Sequence, residues 1–203
     1  MYKMAHYTEQ DKQKVIDFMK EHSFAIVTGA GNEYPVASHL PLEIIEEGEQ
    51  LFFTGHLMRK TDHHLGFKKN ENVLVIFHSP HAYINAGWYS NPTDASTVNY
   101  MAVHAKGKIS FTDEAGTLEA IKQLTDKHIG SNSPASFENI PKDYVAAMLK
   151  AIVGFKIEVT DVQNVFKLSQ NKNKEDQLNI IKHLNNRQES GTSFIAGKMK
   201  EII

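Results

Sequence analysis

The chain has 203 residues, with 22 basic and 24 acidic side chains and no cysteine. The missing thiols exclude disulfide scaffolds, thiolate zinc sites, iron–sulfur clusters and cysteine nucleophiles. The near-neutral charge gives no general attraction for nucleic acid or an anionic membrane surface. At 41% hydrophobic and 23% charged residues, the composition is that of a globular chain. Its length suits one domain with a substantial core. The first twenty residues mix Lys, His, Glu, Gln and Asp, which predicts no signal peptide. No apolar run approaches the roughly 20 residues of a membrane span, so a soluble cytoplasmic protein is expected.

Thr8 and Asp11 have the spacing of a helix-start capping box. Val15, Ile16, Phe18 and Met19 then form a helical apolar stripe. Phe24–Thr28 reads as a short buried strand ended by the turn cluster Gly29–Asn32, and Tyr34–Leu42 as a second strand. Glu46-Glu47-Gly48 reads as a turn and Leu51–Thr54 as a third strand. Such a meander is not how a doubly wound nucleotide fold begins.

A basic, His-rich segment, Arg59–His64, leads into a short helix expected to end near Lys69-Asn70. Val73–Phe77 is the most hydrophobic strand, and His81–Asn85 extends again after Pro80. Gly87–Pro92 reads as a loop that continues to Thr97. Val98–Phe111 is long enough for a bent barrel strand, with Gly107 as a kink. Five or six strands before the first long helix favour a barrel.

Thr112 is placed to cap a helix to about His128, with Leu118, Ile121, Leu124 and His128 on one face and Gly130 as its stop. Ser131–Asn139 is a polar loop, and Pro141 opens a helix carrying Val145, Met148, Leu149 and Ile152. Val153, Phe155, Ile157 and Val159 alternate with polar or small residues, as in a half-buried strand. Lys167–Asn171 precedes a helix built on Leu178, Ile181 and Leu184, and Gly191 separates a last helical tail. The expectation is one α+β, mainly β domain over 1–203, with a helical extension from about residue 172.

Thr54-Gly55 at a strand end offers a hydroxyl and a backbone that a ligand can approach closely. Arg59 and Lys60 follow at a distance suited to neutralising a phosphate. The same two cations also read as solvated loop charges. His39 and His56 sit at strand ends beside this anion site, as ligand donors or as structural histidines. His63-His64 and His78/His81 lack the converging carboxylates of a metal centre, and no metal ligands are assigned. Trp88, Tyr89, Tyr83 and Tyr100 concentrate rings that either cover a planar cofactor or pack a core or interface. Gly29-x-Gly31 lacks the full dinucleotide pattern, and no catalytic triad or acid–base pair is assigned.

Seven separated motifs occur in order: Ala37–Leu42, Thr54–Leu57, Pro80–Ile84, Trp88–Ser90, Asn99–Ala105, Val153–Ile157 and Lys167–Asn171. Together, over about Met1 to His183, they resemble the PaiB-type family of FMN-binding split-barrel proteins, described as negative transcriptional regulators. A more distant likeness is to pyridoxamine-phosphate-oxidase-type flavoproteins, through Phe53-Thr54 … Arg59-Lys60 and Gly154–Asp161. The resemblance implies an antiparallel, Greek-key-like split β-barrel with appended helices, and FMN as cofactor. It implies that Ser38, His39 and Leu40 line the isoalloxazine edge, and that Thr54, Arg59 and Lys60 hold the phosphate. Gly55, His56, Thr61 and His63 complete that set of cofactor-binding positions. A homodimer with flavin sites at its interface is implied too, with Asn99, Tyr100 and Gln170 reaching the flavin from either subunit. Two segments depart from the family's usual wording. Asn-Pro-Gln-Trp is here Thr61-Asp62-His63-His64, and Pro-Thr-Trp is Ser96-Thr97-Val98.

The function expected from these features is a flavin-dependent oxidoreductase or flavin reductase with a small-molecule redox partner, since a flavin brings its own redox chemistry. A negative transcriptional regulator, acting on DNA directly or through a partner, is the alternative. No helix-turn-helix or basic arm supports it. A haem-binding or haem-degrading split barrel is a second alternative, suggested by the histidines.

Overall fold

The computed structural model describes residues 1, 4–91, 93–130, 132–187, 189 and 191–203. The loop positions Pro92 and Ser131 lie outside the described residues. Among the described residues eight strands and six α-helices follow one another along the chain, an α+β fold that is mainly β, as expected. The residues form two compact units: Met1–Phe18 with Phe77–His104 and Gln163–Ile203, and Met19–Ile76 with Ala105–Val162. Among the described residues no helix is long and apolar enough to cross a membrane.

The second unit carries the sheet. Its strands are β1 (Phe24–Gly29), β2 (Val36–Pro41), β3 (Glu43–Glu47), β4 (Gln50–Met58), and parts of β5 (Asn72–His78), β7 (Thr97–Phe111) and β8 (Ile152–Lys167). They lie in the order β2-β1-β5-β7-β8-β4-β3, and β1·β2, β1·β5, β3·β4 and β4·β8 run antiparallel. Period-2 alternation is clearest in β4, where Leu51, Phe53, Gly55 and Leu57 are buried while Phe52, Thr54 and His56 are only half-buried. Gly55 is glycine for lack of room. A Cβ there would stand 2.9 Å from the Phe155 ring and 3.1 Å from the Pro41 carbonyl oxygen. Gly107 permits a similar approach, its would-be Cβ lying 2.6 Å from the Glu158 carbonyl. Phe53, Phe67, Phe155 and Ile157 are fully buried in this unit's core, each contributing about 1.5–3 kcal/mol.

Several expectations need correction here. Tyr34–Leu42 and the following acidic stretch are two strands, since Glu43–Glu47 forms β3, with Ile44 buried opposite Phe53. The turn falls at Gly48, in left-handed conformation (φ 64°). The strand carrying Thr54 is therefore the fourth, and among the described residues seven strands precede the first long helix rather than five or six. That helix, α3 (Glu114–Ile129), is capped by Asp113, whose side chain accepts the Gly116 N–H, not by Thr112. His128 is exposed rather than facing the core. α2 (Asp62–Lys69) and α4 (Lys142–Ala151) follow expectation, as does Gly130 ending α3 at φ 82°.

The first unit contains β6 (Ala82–Ile84) paired antiparallel with the start of β7. It also contains α5 (Lys174–Asn186) and α6 (Thr192–Lys200). Ile180, Ile181, Leu184, Ile195 and Met199 form its apolar centre. Leu178, expected inside, is exposed, and Ile180 takes that place. A 3-10 turn at Ala86–Trp88 sets the Trp88 ring flat on His183, at 4.9 Å and an interplanar angle of 4°. The Arg187 guanidinium lies 4.6 Å from the same ring. Helix α1 (Lys12–Glu21) is started by Asp11, whose carboxylate accepts the Gln13 N–H at 2.9 Å. Thr8, expected as the cap, instead donates to the Met4 carbonyl.

Candidate functional site

β4 delivers the basic corner. It ends at Met58, and the Arg59 amide donates to the Ala151 carbonyl at 2.8 Å. Lys60 then adopts left-handed backbone, φ 63°, at a cost of about 1–2 kcal/mol for a residue with a Cβ. This turn aims the Lys60 N–H at the His64 ring, whose Nδ1 accepts it at 3.0 Å. Thr61 caps α2: its hydroxyl donates to the Met58 carbonyl (2.9 Å) and accepts the His64 N–H. Because that proton is committed, the 3.0 Å contact between Thr61 Oγ1 and His63 Nε2 is a bond donated by His63.

The electrostatics are one-sided. Among the described residues neither the Arg59 guanidinium nor the Lys60 ammonium has a carboxylate partner. Asp62 is exposed and turns back on its own helix, accepting the His63 N–H at 2.8 Å. His64 is 7% exposed and packs edge-on against Phe111, with ring centroids 5.0 Å apart. Burial, then the nearby charges of Lys68, Arg59 and His63, holds its pKa below the usual histidine value. His56 is lowered by burial as well.

The other predicted residues fall into three groups. On β4, Thr54 is opposite Lys156 and Glu43, Gly55 opposite Phe155, and His56 opposite Gly154. On β2, His39 is exposed and 6.1 Å from the Phe24 ring, Ser38 is half-buried, and Leu40 is buried opposite Ala25. The first unit holds Asn99, Tyr100 and Gln170. There the Asn99 side chain is fully buried, bonded to the Ser169 hydroxyl (2.9 Å) and to Met199 Sδ (3.6 Å). Gln170 folds onto its own turn, accepting from the Leu168 N–H and donating to the Phe166 carbonyl. A cavity of about 540 Å³ in the second unit lies between the 30–36 turn and α2, lined by Asp62, Leu65 and Lys69 among others. None of the predicted site residues lines it.

Two adjacent cations without counter-charges, presented at a strand end just before a capped helix, form a donor set that fits a phosphate group. Sequence reading found Arg59, Lys60 and Thr61 but missed His64. The fold of the corner depends on a backbone angle that residue spacing does not encode. Among the described residues no group of three or more His, Asp or Glu side chains could hold a metal ion.

The sequence profile described as "Putative FMN-binding domain" matches residues 1–161. The chain is 33% identical over 202 residues to the "Protease synthase and sporulation protein PAI 2" of Bacillus subtilis, covering 99% of this chain and 97% of that one. Its fold is similar to that of the flavocytochrome Anf3 from Azotobacter vinelandii. The TM-score is 0.62 at 14% identity, covering 82% of this chain and 72% of that one. A FAD and heme binding protein from Mycobacterium smegmatis is comparable, with TM-score 0.61 at 11% identity, covering 85% and 78%. With the profile matching residues 1–161 and PAI 2 aligned almost end to end, the chain belongs to the PaiB-type FMN-binding domain family.

Proposed function

We propose that this protein binds FMN, with the flavin's phosphate held by Arg59 and Lys60, and serves as a flavin-dependent oxidoreductase or flavin reductase. The observation that carries the reading is the pair of uncompensated cations on the left-handed corner after β4. They lie within the segment matched by the FMN-binding profile. Arg59 supplies a fork of donors and Lys60 a compact charge. Thr54, Gly55, His56, Thr61 and His63 surround them in sequence, and Ser38, His39 and Leu40 on β2 are assigned to the ring edge. Bound flavin would supply hydride and electron transfer. The work of the chain is to bind and orient it.

A homodimer completes the reading, with Asn99, Tyr100 and Gln170 assigned to the flavin from either subunit. Exposed apolar side chains support it, notably Phe24, 65% exposed, and Met58, 60% exposed, which an isolated chain leaves in water. Cytoplasmic location is part of the same proposal.

The test is a titration of purified protein with FMN, followed by addition of NADH or NADPH and scattering-based mass measurement. A shifted, saturable flavin spectrum at micromolar FMN, bleached by the nucleotide, on a particle of twice the chain mass is expected. An unperturbed FMN spectrum refutes the cofactor assignment.

A further inference from the structure

We infer that His64 is the positioning residue of the anion corner, holding the Lys60 turn in place only while its imidazole is neutral, so that proton uptake at His64 releases the bound anion. The inference rests on the FMN-phosphate reading for the identity of the anion, but not for the switch itself.

Geometry dictates the protonation state. A backbone N–H can only donate, so the 3.0 Å bond from Lys60 requires an unprotonated Nδ1 on His64, and the ring must be the Nε2–H tautomer. This bond closes the left-handed turn at Lys60. Both ends of the link are fixed elsewhere: Arg59 by its amide bond to Ala151, and His64 by the Thr61 cap and the Phe111 ring. A second proton turns Nδ1 from acceptor into donor. The Lys60 N–H then loses its partner beside a ring that is almost wholly buried.

The surroundings oppose that proton. Lys68 and His63 act on the ring from its own helix, and Arg59 acts from the corner. β7 offers the neutral Phe111 ring. The strands packed on α2 bring apolar or backbone groups: Gly29 lies under the Phe67 ring, and Val36 and the Ala30 carbonyl lie against Gly66. Every charge acting on the ring among the described residues is cationic, so the imidazolium gains no compensating partner there. The cation cluster that attracts an anion adds to burial in keeping His64 neutral.

The experiment has a ligand-free arm and a ligand arm. In the ligand-free protein, nitrogen NMR of the His64 ring and the Lys60 amide is recorded from pH 8 to pH 5. The Nε2–H tautomer at pH 8, with the Lys60 amide shifting at the His64 midpoint, is expected. A Lys60 amide that ignores the His64 titration overturns the inference. In the ligand arm, FMN dissociation constants are measured at pH 8 and pH 5.5 for wild type, His64→Asn and His64→Leu. Asn places Oδ1 where Nδ1 stands and does not titrate. FMN's own phosphate takes up a proton near pH 6, so the readout is the ratio between variants at one pH. Wild type should bind at least fivefold more weakly than His64→Asn at pH 5.5 and within twofold of it at pH 8. His64→Leu should be weak at both. Parallel pH profiles for wild type and His64→Asn refute the switch. Failure of every variant to bind FMN at either pH refutes the cofactor reading, and the Lys60 amide then decides the switch alone.

Discussion

Asn99 and Ser169 are joined through both ends of one amide: Asn99 Nδ2 lies 2.9 Å from the Ser169 hydroxyl, and that hydroxyl lies 3.2 Å from Asn99 Oδ1. Both residues are buried, and Ser169 holds left-handed backbone at φ 62°. The amide thus pins a strained turn after β8. Asn99→Ala leaves the Ser169 hydroxyl buried without this partner and should destabilise the protein by about 1–3 kcal/mol, read as a lower urea midpoint. An unchanged midpoint would show that the turn holds without the amide.

The basic corner separates charge from backbone strain. Arg59→Ala with Lys60→Ala should weaken FMN binding by more than tenfold, since each charge-assisted bond is worth about 1.5–3 kcal/mol. Lys60→Gly removes the charge but relieves the left-handed strain, so affinity should fall while stability holds or rises by about 1 kcal/mol. Fluorescence titration of FMN and urea melts read the two effects. Unaltered affinity in the double variant would place the phosphate elsewhere.

His56, His64 and His104 all have pKa values lowered, in each case first by burial. The unfolded chain therefore binds more protons than the folded one as pH falls through the ordinary histidine value of about 6.5. The stability these groups contribute is complete above that value and is lost on acidification toward their lower folded values. The thermal midpoint should be lower at pH 5 than at pH 8. His64→Asn should remove part of the difference. A midpoint that rises on acidification contradicts the assignment.

Gly154 marks where β8 meets α3. Its N–H donates to the Thr117 hydroxyl at 2.9 Å. An added Cβ would stand 2.5 Å from Thr112 Oγ1 and 2.9 Å from Thr117 Cα. The second contact is with backbone and cannot rotate away. Gly154→Ala should cost about 1–3 kcal/mol, the usual penalty of overpacking, seen as a lower urea midpoint with an unchanged slope. A neutral effect would mean that α3 shifts freely on the sheet.

Much of the architecture is legible in the residue pattern. The long β7 and α3, the glycine stop at 130 and the glycine at 191 that opens the last helix follow from periodicity and turn chemistry. β3 is hidden because three of the five residues preceding Gly48 are glutamates, which propensity reads as turn, whereas pairing with β4 and the burial of Ile44 make them a strand. Leu178 reads as core because its spacing to Ile181 is helical, yet Ile180 and Leu184 carry the buried face. At the site, the two cations are visible from spacing, whereas Thr61 enters only through the family resemblance and not as a cap. The role of His64 is not, because it depends on a positive φ at a lysine, which sequence favours only for glycine or asparagine.

The single tryptophan sits flat on an imidazole and under a guanidinium, inside the unit that holds α5 and α6. Its emission is consequently a local gauge: loosening of that half of the molecule will brighten or red-shift the signal even while the strands around the basic corner remain intact. Comparing the emission transition with the far-ultraviolet dichroism transition, which follows the strands as well, reveals whether the two halves melt as one cooperative body or in turn.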